Sequence, residues 1–321
     1  MIISVAMATY NGEKYIYEQL ESINNQTRKV DEVIISDDGS ADNTILICET
    51  YIKQNNLKNW KIVYNNNEKH GFYFNFCNAM KSCRGDYIVL CDQDDIWLPY
   101  KIEELEKIIQ EKRCDSLASN YSRFKDDIEL CDKQLHPHIK KNGVKHISLK
   151  EFCHFYNYLG MTMIVNKKII KQFLSMDLHS DYLTLSHDII LNFLAIANDQ
   201  LFFYDKVLTK RRSYETSTSY TNNQNDYKKL NYTNRYAYQM YNKYCYVKMF
   251  EKINNCKKID KAYMKKISNQ YYVRAEYIEK KNLFKWMINI MHINLYDGIS
   301  DYVKDFFRMK IWRRGNEINK A

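Results

Sequence analysis

Proline is scarce: Pro99 and Pro137 are the only two in 321 residues, beside eight glycines. That scarcity excludes a collagen-like or proline-rich chain, and no repeat or low-complexity linker marks a boundary. The nine cysteines, at 48, 77, 83, 91, 114, 131, 153, 245 and 256, form no C-x-x-C pair and are odd in number. A disulfide framework is therefore not expected, and a reducing cytosol is. No apolar run reaches the roughly 20 residues that cross a bilayer. The longest near the end, residues 284–296, is broken by Lys285, Asn289, His292 and Asn294. The start, Met1-Ile2-Ile3-Ser4-Val5, lacks a basic n-region, so no removable export signal is expected. Also missing are G-x-G-x-x-G, G-x-x-x-x-G-K-[ST] and G-x-S-x-G, which leaves nicotinamide, P-loop and acyl-transfer chemistries without support. His136, His138, His146 and His179 show no zinc-site spacing with cysteine or carboxylate.

What is present is globular in character, with 45% hydrophobic and 27% charged residues. The charge is uneven. Residues 226–321 carry 21 Lys and Arg against 9 Asp and Glu, whereas residues 1–225 carry 27 against 30. The chain therefore reads as a body, 1–225, and a basic, Tyr- and Lys-rich helical region, 226–321. Such a basic region suits an anionic membrane surface or plain solvent.

The body alternates strand and helix patterns. Residues 2–9 read as a buried strand, and Ile16, Leu20 and Ile23 fall at helical spacing after the Asn11-Gly12 turn. Further strands are expected at 33–35, 61–64 and 87–91, with helices to about Asn55 and at 72–82. After Pro99 a helix carries Ile102, Leu105, Ile108 and Ile109 on one face. Strands at 116–121, 160–165 and 201–208 and helices at 167–174 and 188–197 complete the body, with 123–147 polar and irregular. The pattern predicts an α/β fold, a mostly parallel sheet flanked by helices, whose ligands bind beyond the carboxyl ends of its strands.

Three of those ends are polar: Thr9-Tyr10-Asn11, Asp37-Asp38 and Asp92-Gln93-Asp94-Asp95. Three carboxylates in four positions repel unless a cation or donors compensate, and hard oxygens suit Mg2+ or Mn2+ bridging a diphosphate. An acidic turn capping the next helix would read the same. Asp38 suits either a nucleoside contact or a turn, and the Tyr10 ring either a pyrimidine or packing. Asp188, after Ser186-His187, suits a general base or a helix N-cap.

In this order and spacing, Met7-Ala8-Thr9-Tyr10-Asn11-Gly12, Ser36-Asp37-Asp38-Gly39-Ser40, Arg84-Gly85-Asp86-Tyr87 and Asp92-Gln93-Asp94-Asp95-Ile96-Trp97 resemble family 2 glycosyltransferases of the GT-A fold. The resemblance covers roughly residues 1–212, and its last element is similar to the rhamnosyltransferase-like branch. It implies an inverting enzyme that moves a sugar, such as L-rhamnose from dTDP-rhamnose, onto a cell-surface polysaccharide or lipid-linked acceptor. UDP-hexose and UDP-N-acetylhexosamine donors fit the same pattern.

The resemblance further implies Thr9, Tyr10, Asn11, Asp38, Gly71 and Asn75 at the donor, Asp92 and Asp94 on a Mg2+ or Mn2+ ion, with Asp92 also facing substrate, and Asp188 as base. Where the family has Arg-x-His, this chain reads Arg211-Arg212-Ser213. Either Arg211 and Arg212 then neutralise the diphosphate with forked donors, or Glu215 approaches the metal. A catalytically silent nucleotide- or membrane-binding scaffold is the alternative that Ser213 motivates. Nucleic-acid binding is not expected, because no RRM, KH or helix-turn-helix signature accompanies the basic region. Helices at 284–295 and 302–314, with Trp286 and Trp312, suit peripheral contact with the inner face of the cell membrane, or else a lid or dimer contact.

Overall fold

A computed structural model describes residues 1–66, 68–125, 128–130, 142–154, 158–176, 186–213, 235–252 and 260–318. Strand β1 (Ile3–Thr9) is apolar at nearly every position because it lies mid-sheet and is covered on both faces. It pairs in parallel with β2 (Glu32–Asp37) and β4 (Tyr87–Asp92), and β2 pairs in parallel with β3 (Trp60–Tyr64). Helices α1 (Ile16–Asn24), α2 (Thr44–Gln54) and α3 (Phe72–Ser82) connect them. The 3.6-residue spacing of Ile16, Leu20 and Ile23 turns all three onto a core shared with Ile3, Val5, Met7, Val33 and Ile35.

Beyond β4 the sheet changes direction. Strand β9 (Met163–Asn166) runs antiparallel to β4 on one side and to β6 (Ser116–Lys125) on the other. Strand β6 is parallel to β10 (Leu201–Arg212), which takes β5 (Ile96–Trp97) and β8 (Val144–His146) as antiparallel partners. Strand β7 (Ile128–Leu130) folds back on β6. The resulting order is β3-β2-β1-β4-β9-β6-β10-β5, a mixed sheet flanked by helices. Helices α4 (Lys101–Lys112), α6 (Lys167–Leu174) and α7 (His187–Ala197) belong to this half, and α7 is buried along its whole length.

Three expectations need correction. Residues 123–147 are not wholly irregular, since β6 extends into them and β7 and β8 lie within them. These strands are only three residues each, too short for an apolar pattern to mark them in sequence. Residues 160–165 begin as a 3-10 turn, Gly160–Thr162, and become strand only at Met163. Strand β10 continues past Leu208 to Arg212, through register shifts between Tyr204 and Thr209.

The chain splits into two compact units, Met1–Ser148 with Tyr156–Ser213, and Leu149–Phe155 with Tyr214–Ala321. The boundary expected between 225 and 226 lies outside the described residues. The second unit contains α5 (Leu149–His154), α8 (Arg235–Lys252), α9 (Lys261–Glu279), α10 (Leu283–Ile288), a 3-10 segment (Asn289–Leu295) and α11 (Ile299–Ile318). The helix expected at 284–295 is thus broken, with non-helical backbone at His292. No described helix is long and apolar enough to cross a membrane.

At the centre of the second unit Arg274 is fully buried. Its Nε and one terminal nitrogen bond the two oxygens of Asp305 at 2.8 and 3.0 Å, and that nitrogen also reaches Asp301 at 2.8 Å. The Tyr296 ring lies 4.4 Å from the guanidinium. This network ties α9 to α11, and part of the region's charge is therefore interior rather than superficial.

Candidate active site

The β1 register sets Ala8 opposite both Ser36 and Asp92, and Thr9 opposite Asp37, so three polar strand ends meet at one edge of the sheet. Asp37 is the turn builder there. Its carboxylate accepts from the Gly39 and Ser40 N–H groups at 3.0 and 2.8 Å, from Ser40 Oγ at 2.5 Å and from Thr9 Oγ1 at 3.1 Å. Asp38 is turned the other way. Its Oδ1 meets Asn65 Nδ2 at 2.6 Å and His70 Nδ1 at 2.9 Å, and its Oδ2 accepts from Gly71 N at 2.6 Å. Asp38 therefore pins the loop before α3, where Gly71 takes φ +105, a conformation that side chains with a Cβ rarely adopt. Asn75 donates to Thr9 O at 2.9 Å, while its buried Oδ1 has no hydrogen-bond partner.

Asn11 bridges to the same turn, accepting from Ala41 N at 2.8 Å and donating its own N–H to Ser40 Oγ at 2.9 Å. Tyr10 is 55% exposed, so its ring is open to a ligand. Its backbone is held by Gln93, a residue that the sequence reading passed over.

Asp92, Asp94 and Asp95 each offer a carboxylate oxygen within 4.8 Å of the others. Burial, and then the Asp94 charge, raise the Asp92 carboxyl to about 7, with Arg211 opposing and the Asp188 charge adding to the rise. Asp95 is 2% exposed and is raised well above the ordinary carboxylate range by burial and by Asp92 and Asp94. Its Oδ1 accepts from Arg212 N at 3.1 Å, whereas Oδ2 is buried with no protein partner. An unpartnered buried carboxylate oxygen among repelling carboxylates is what a hard divalent cation would relieve, so the residues fit such an ion.

Beneath this cluster lies Lys101, fully buried, which donates to Met161 O at 2.7 Å and Thr209 Oγ1 at 2.9 Å and sits 4.0 Å from the Trp97 ring centre. Burial lowers its ammonium to about 7, against the pull of Cys91, Asp95 and Asp92. The sequence does carry a signal for it, since Lys101 shares the apolar α4 face with Leu105 and Ile108.

Asp188 is the second residue of α7, with Ser186 at the N-cap position. Its Oδ2 accepts from Gly160 N at 3.0 Å, and its Oδ1 from Ile189 N at 2.8 Å and from Ser186 Oγ. The approach is close: a Cβ on residue 160 would lie 3.2 Å from His187 Nε2 and 3.5 Å from Asp188 Cβ, tight against the imidazole. His187 stacks on Phe76 at 4.1 Å, and burial lowers its basicity. Neither of its ring nitrogens has a hydrogen-bond partner.

Antiparallel pairing of Thr209 with Trp97 brings the end of β10 against the acidic turn. Arg212 donates to Asp94 O at 3.0 Å and to Glu18 Oε2 at 2.5 Å, with the Tyr15 and Phe124 rings 4.4 and 4.5 Å from its guanidinium. Arg212, expected at the diphosphate, thus uses its Nε and one terminal nitrogen for protein contacts. Arg211 is the neighbour whose charge acts on Asp92 and Asp95. Ser213 donates its N–H to Phe124 O at 2.9 Å, and Glu215 lies outside the described residues.

A family model for Glycosyl transferase family 2 matches residues 4–174. Among curated relatives, Glycosyltransferase GlyG of Streptococcus pneumoniae is 35% identical over 123 residues, 38% of this chain and 40% of GlyG. The dTDP-rhamnosyl transferase RfbG of Shigella flexneri is 33% identical over 174 residues, 52% of this chain and 56% of RfbG. The match spans less than two thirds of either relative. Among solved structures, S. aureus TarS 1-349 in complex with UDP-GlcNAc aligns over 98% of this chain and 92% of its own, with TM-score 0.62 and 17% identity. Mannosyltransferase PcManGT from Pyrobaculum calidifontis in complex with GDP-Man and Mn2+ aligns over 96% and 84%, with TM-score 0.53 and 13% identity. Both share the fold.

Proposed function

The chain belongs to glycosyl transferase family 2, and from that premise we propose that it transfers a sugar, with inversion, from a dTDP- or UDP-linked donor to a saccharide or lipid-linked saccharide at the inner face of the cell membrane. The observation that supports this reading is that the buried Asp188 charge acts on Asp92, the first carboxylate of the Asp92, Asp94 and Asp95 cluster.

Each residue has a distinct task. Tyr10, exposed and braced, receives the base, and Thr9, Asn11, Asp38, Gly71 and Asn75 shape the loops around the nucleoside. Asp92 and Asp94, with Asp95 behind them, would hold Mg2+ or Mn2+, which when bound offsets charge on the departing diphosphate. Arg211 faces the same charge. Asp188, fixed in orientation by Gly160 and Ile189, takes the proton of the acceptor hydroxyl as its oxygen attacks the anomeric carbon opposite the diphosphate. The bond to the diphosphate oxygen breaks with its electron pair, and the product is inverted. The likeness to the dTDP-rhamnosyl transferase RfbG supports a rhamnosyl donor, and the shared fold with TarS in complex with UDP-GlcNAc supports a UDP-N-acetylhexosamine.

The test is donor turnover across dTDP-rhamnose and UDP-sugars, with and without Mn2+ or Mg2+, in wild type, Asp94→Ala and Asp188→Asn. Metal-dependent turnover of one donor, lost in Asp94→Ala and reduced by about 10²–10⁴ in Asp188→Asn with donor binding kept, is expected. Binding of a donor without turnover in the wild type would leave the silent-scaffold reading in its place.

A further inference from the structure

Helix α10 reads Leu-Phe-Lys-Trp-Met-Ile, yet none of its residues is buried. Leu283, Phe284, Met287 and Ile288 are all exposed, Phe284 at 67%, and Met291 just beyond is 80% exposed. The side chain that does pack is Trp286. Its ring stacks on Tyr302 at 4.8 Å and 11°, its Nε1 donates to Tyr302 O at 3.1 Å, and Tyr302 OH donates back to Trp286 O at 3.0 Å. These contacts lock α10 to α11. The outward apolar side chains therefore belong to an anchored helix.

Helix α11 is apolar on two faces. Tyr302 and Met309 are buried, whereas Ile299, Val303 and Phe307, spaced by four, form an exposed stripe. Its first two acids are drawn inward, for Asp305 is fully buried and both Asp301 and Asp305 bond Arg274 and Arg308. Lys304 stays exposed, and the sequence after the stripe adds Lys310, Arg313 and Arg314 with no acid before Glu317. Residues 226–321 as a whole hold 21 basic against 9 acidic residues. A second copy would set this excess against itself, while an anionic surface complements it.

We propose that α10 and the outer stripe of α11 form a platform that lies in the headgroup layer of an anionic bilayer, with Phe284, Met287, Val303 and Phe307 entering the acyl boundary. Apolar patches rimmed by basic residues are the form that interfacial helices take. The proposal deepens the reading of a lipid-linked acceptor, and its biological purpose rests on that reading.

The experiment is co-sedimentation of the full chain with phosphatidylcholine vesicles, with and without phosphatidylglycerol, at low and high salt. Wild type is expected to bind only the anionic vesicles, and less at high salt. The pairs Phe284→Asp/Met287→Asp and Val303→Asp/Phe307→Asp each weaken binding about tenfold, while melting temperature and donor turnover in solution stay unchanged. Asp188→Asn binds like wild type, so loss of the transferase reading and loss of the platform are read separately. Absence of binding by wild type, equal binding by the paired variants, or a dimer that those variants dissociate would each overturn the proposal.

Discussion

Gln93 holds Tyr10 by both ends of its amide: Oε1 accepts from Tyr10 N at 2.9 Å, and Nε2 donates to Tyr10 O at 3.0 Å. The acidic turn and the β1 loop are therefore one piece, and the ring proposed to receive the base is braced from the carboxylate side. Gln93→Ala removes both bonds, roughly 1 kcal/mol in total at an exposed site. Donor KM is expected to rise about fivefold with kcat nearly unchanged. Steady-state kinetics at saturating acceptor decide it, and an unchanged KM would make Tyr10 a packing residue.

Asp92 stands among like charges, and Asp92→Asn removes that repulsion. Without divalent ions the variant is expected to melt about 2–4 °C above wild type, although it has lost turnover. Adding Mn2+ then raises the melting temperature of wild type and leaves the variant where it was. A variant less stable than wild type in chelator would contradict the account of the site.

His154 gives the second unit a pH dependence. The Tyr271 hydroxyl donates to Cys153 O at 2.9 Å, His154 Nδ1 lies 3.0 Å from that hydroxyl's own oxygen, and His154 Nε2 is buried without a hydrogen-bond partner. Burial lowers the imidazole from 6.5 to about 4. The unfolded chain thus binds a proton between those values that the folded chain refuses. Stability is complete above about 6.5, is lost as pH falls toward 4 by at most about 3 kcal/mol, and levels off below that. Urea unfolding at a series of pH values checks it, and His154→Gln is expected to flatten the slope.

Arg274→Met leaves Asp305 charged and without its main partner. A loss of about 3–5 kcal/mol is expected, because an uncompensated buried charge costs more than an intact pair contributes. Chemical denaturation followed by helical circular dichroism measures it. A loss below about 1 kcal/mol would mean that Arg308 alone satisfies Asp305.

Sequence patterning was most legible where burial is two-sided or periodic. The helices at 72–82 and 167–174 were placed with the bounds they have, since their apolar faces begin and end within those residues. The three polar strand ends were visible because each is contiguous in sequence. What escaped depends on distant partners. Gln93 and Lys101 take their meaning from Tyr10 and from Met161 and Thr209, which no local window contains. Arg212 looks identical to Arg211 in sequence, and only Glu18, Tyr15 and Phe124 distinguish it. The edge strands β7 and β8 escaped because three residues are too few to carry a recognisable alternation.

The junction between β4 and β9 also divides the protein in time. Every strand from β3 to β4 in the sheet order is encoded before residue 93, so this half can assemble while the ribosome is still making the rest. The other half cannot. Ser116 must wait for Leu201, and Trp97 for Thr209, before their ladders close. The acidic turn at Asp92–Asp95 is thus born at the rim of a finished half-sheet, and its arginine neighbours arrive last.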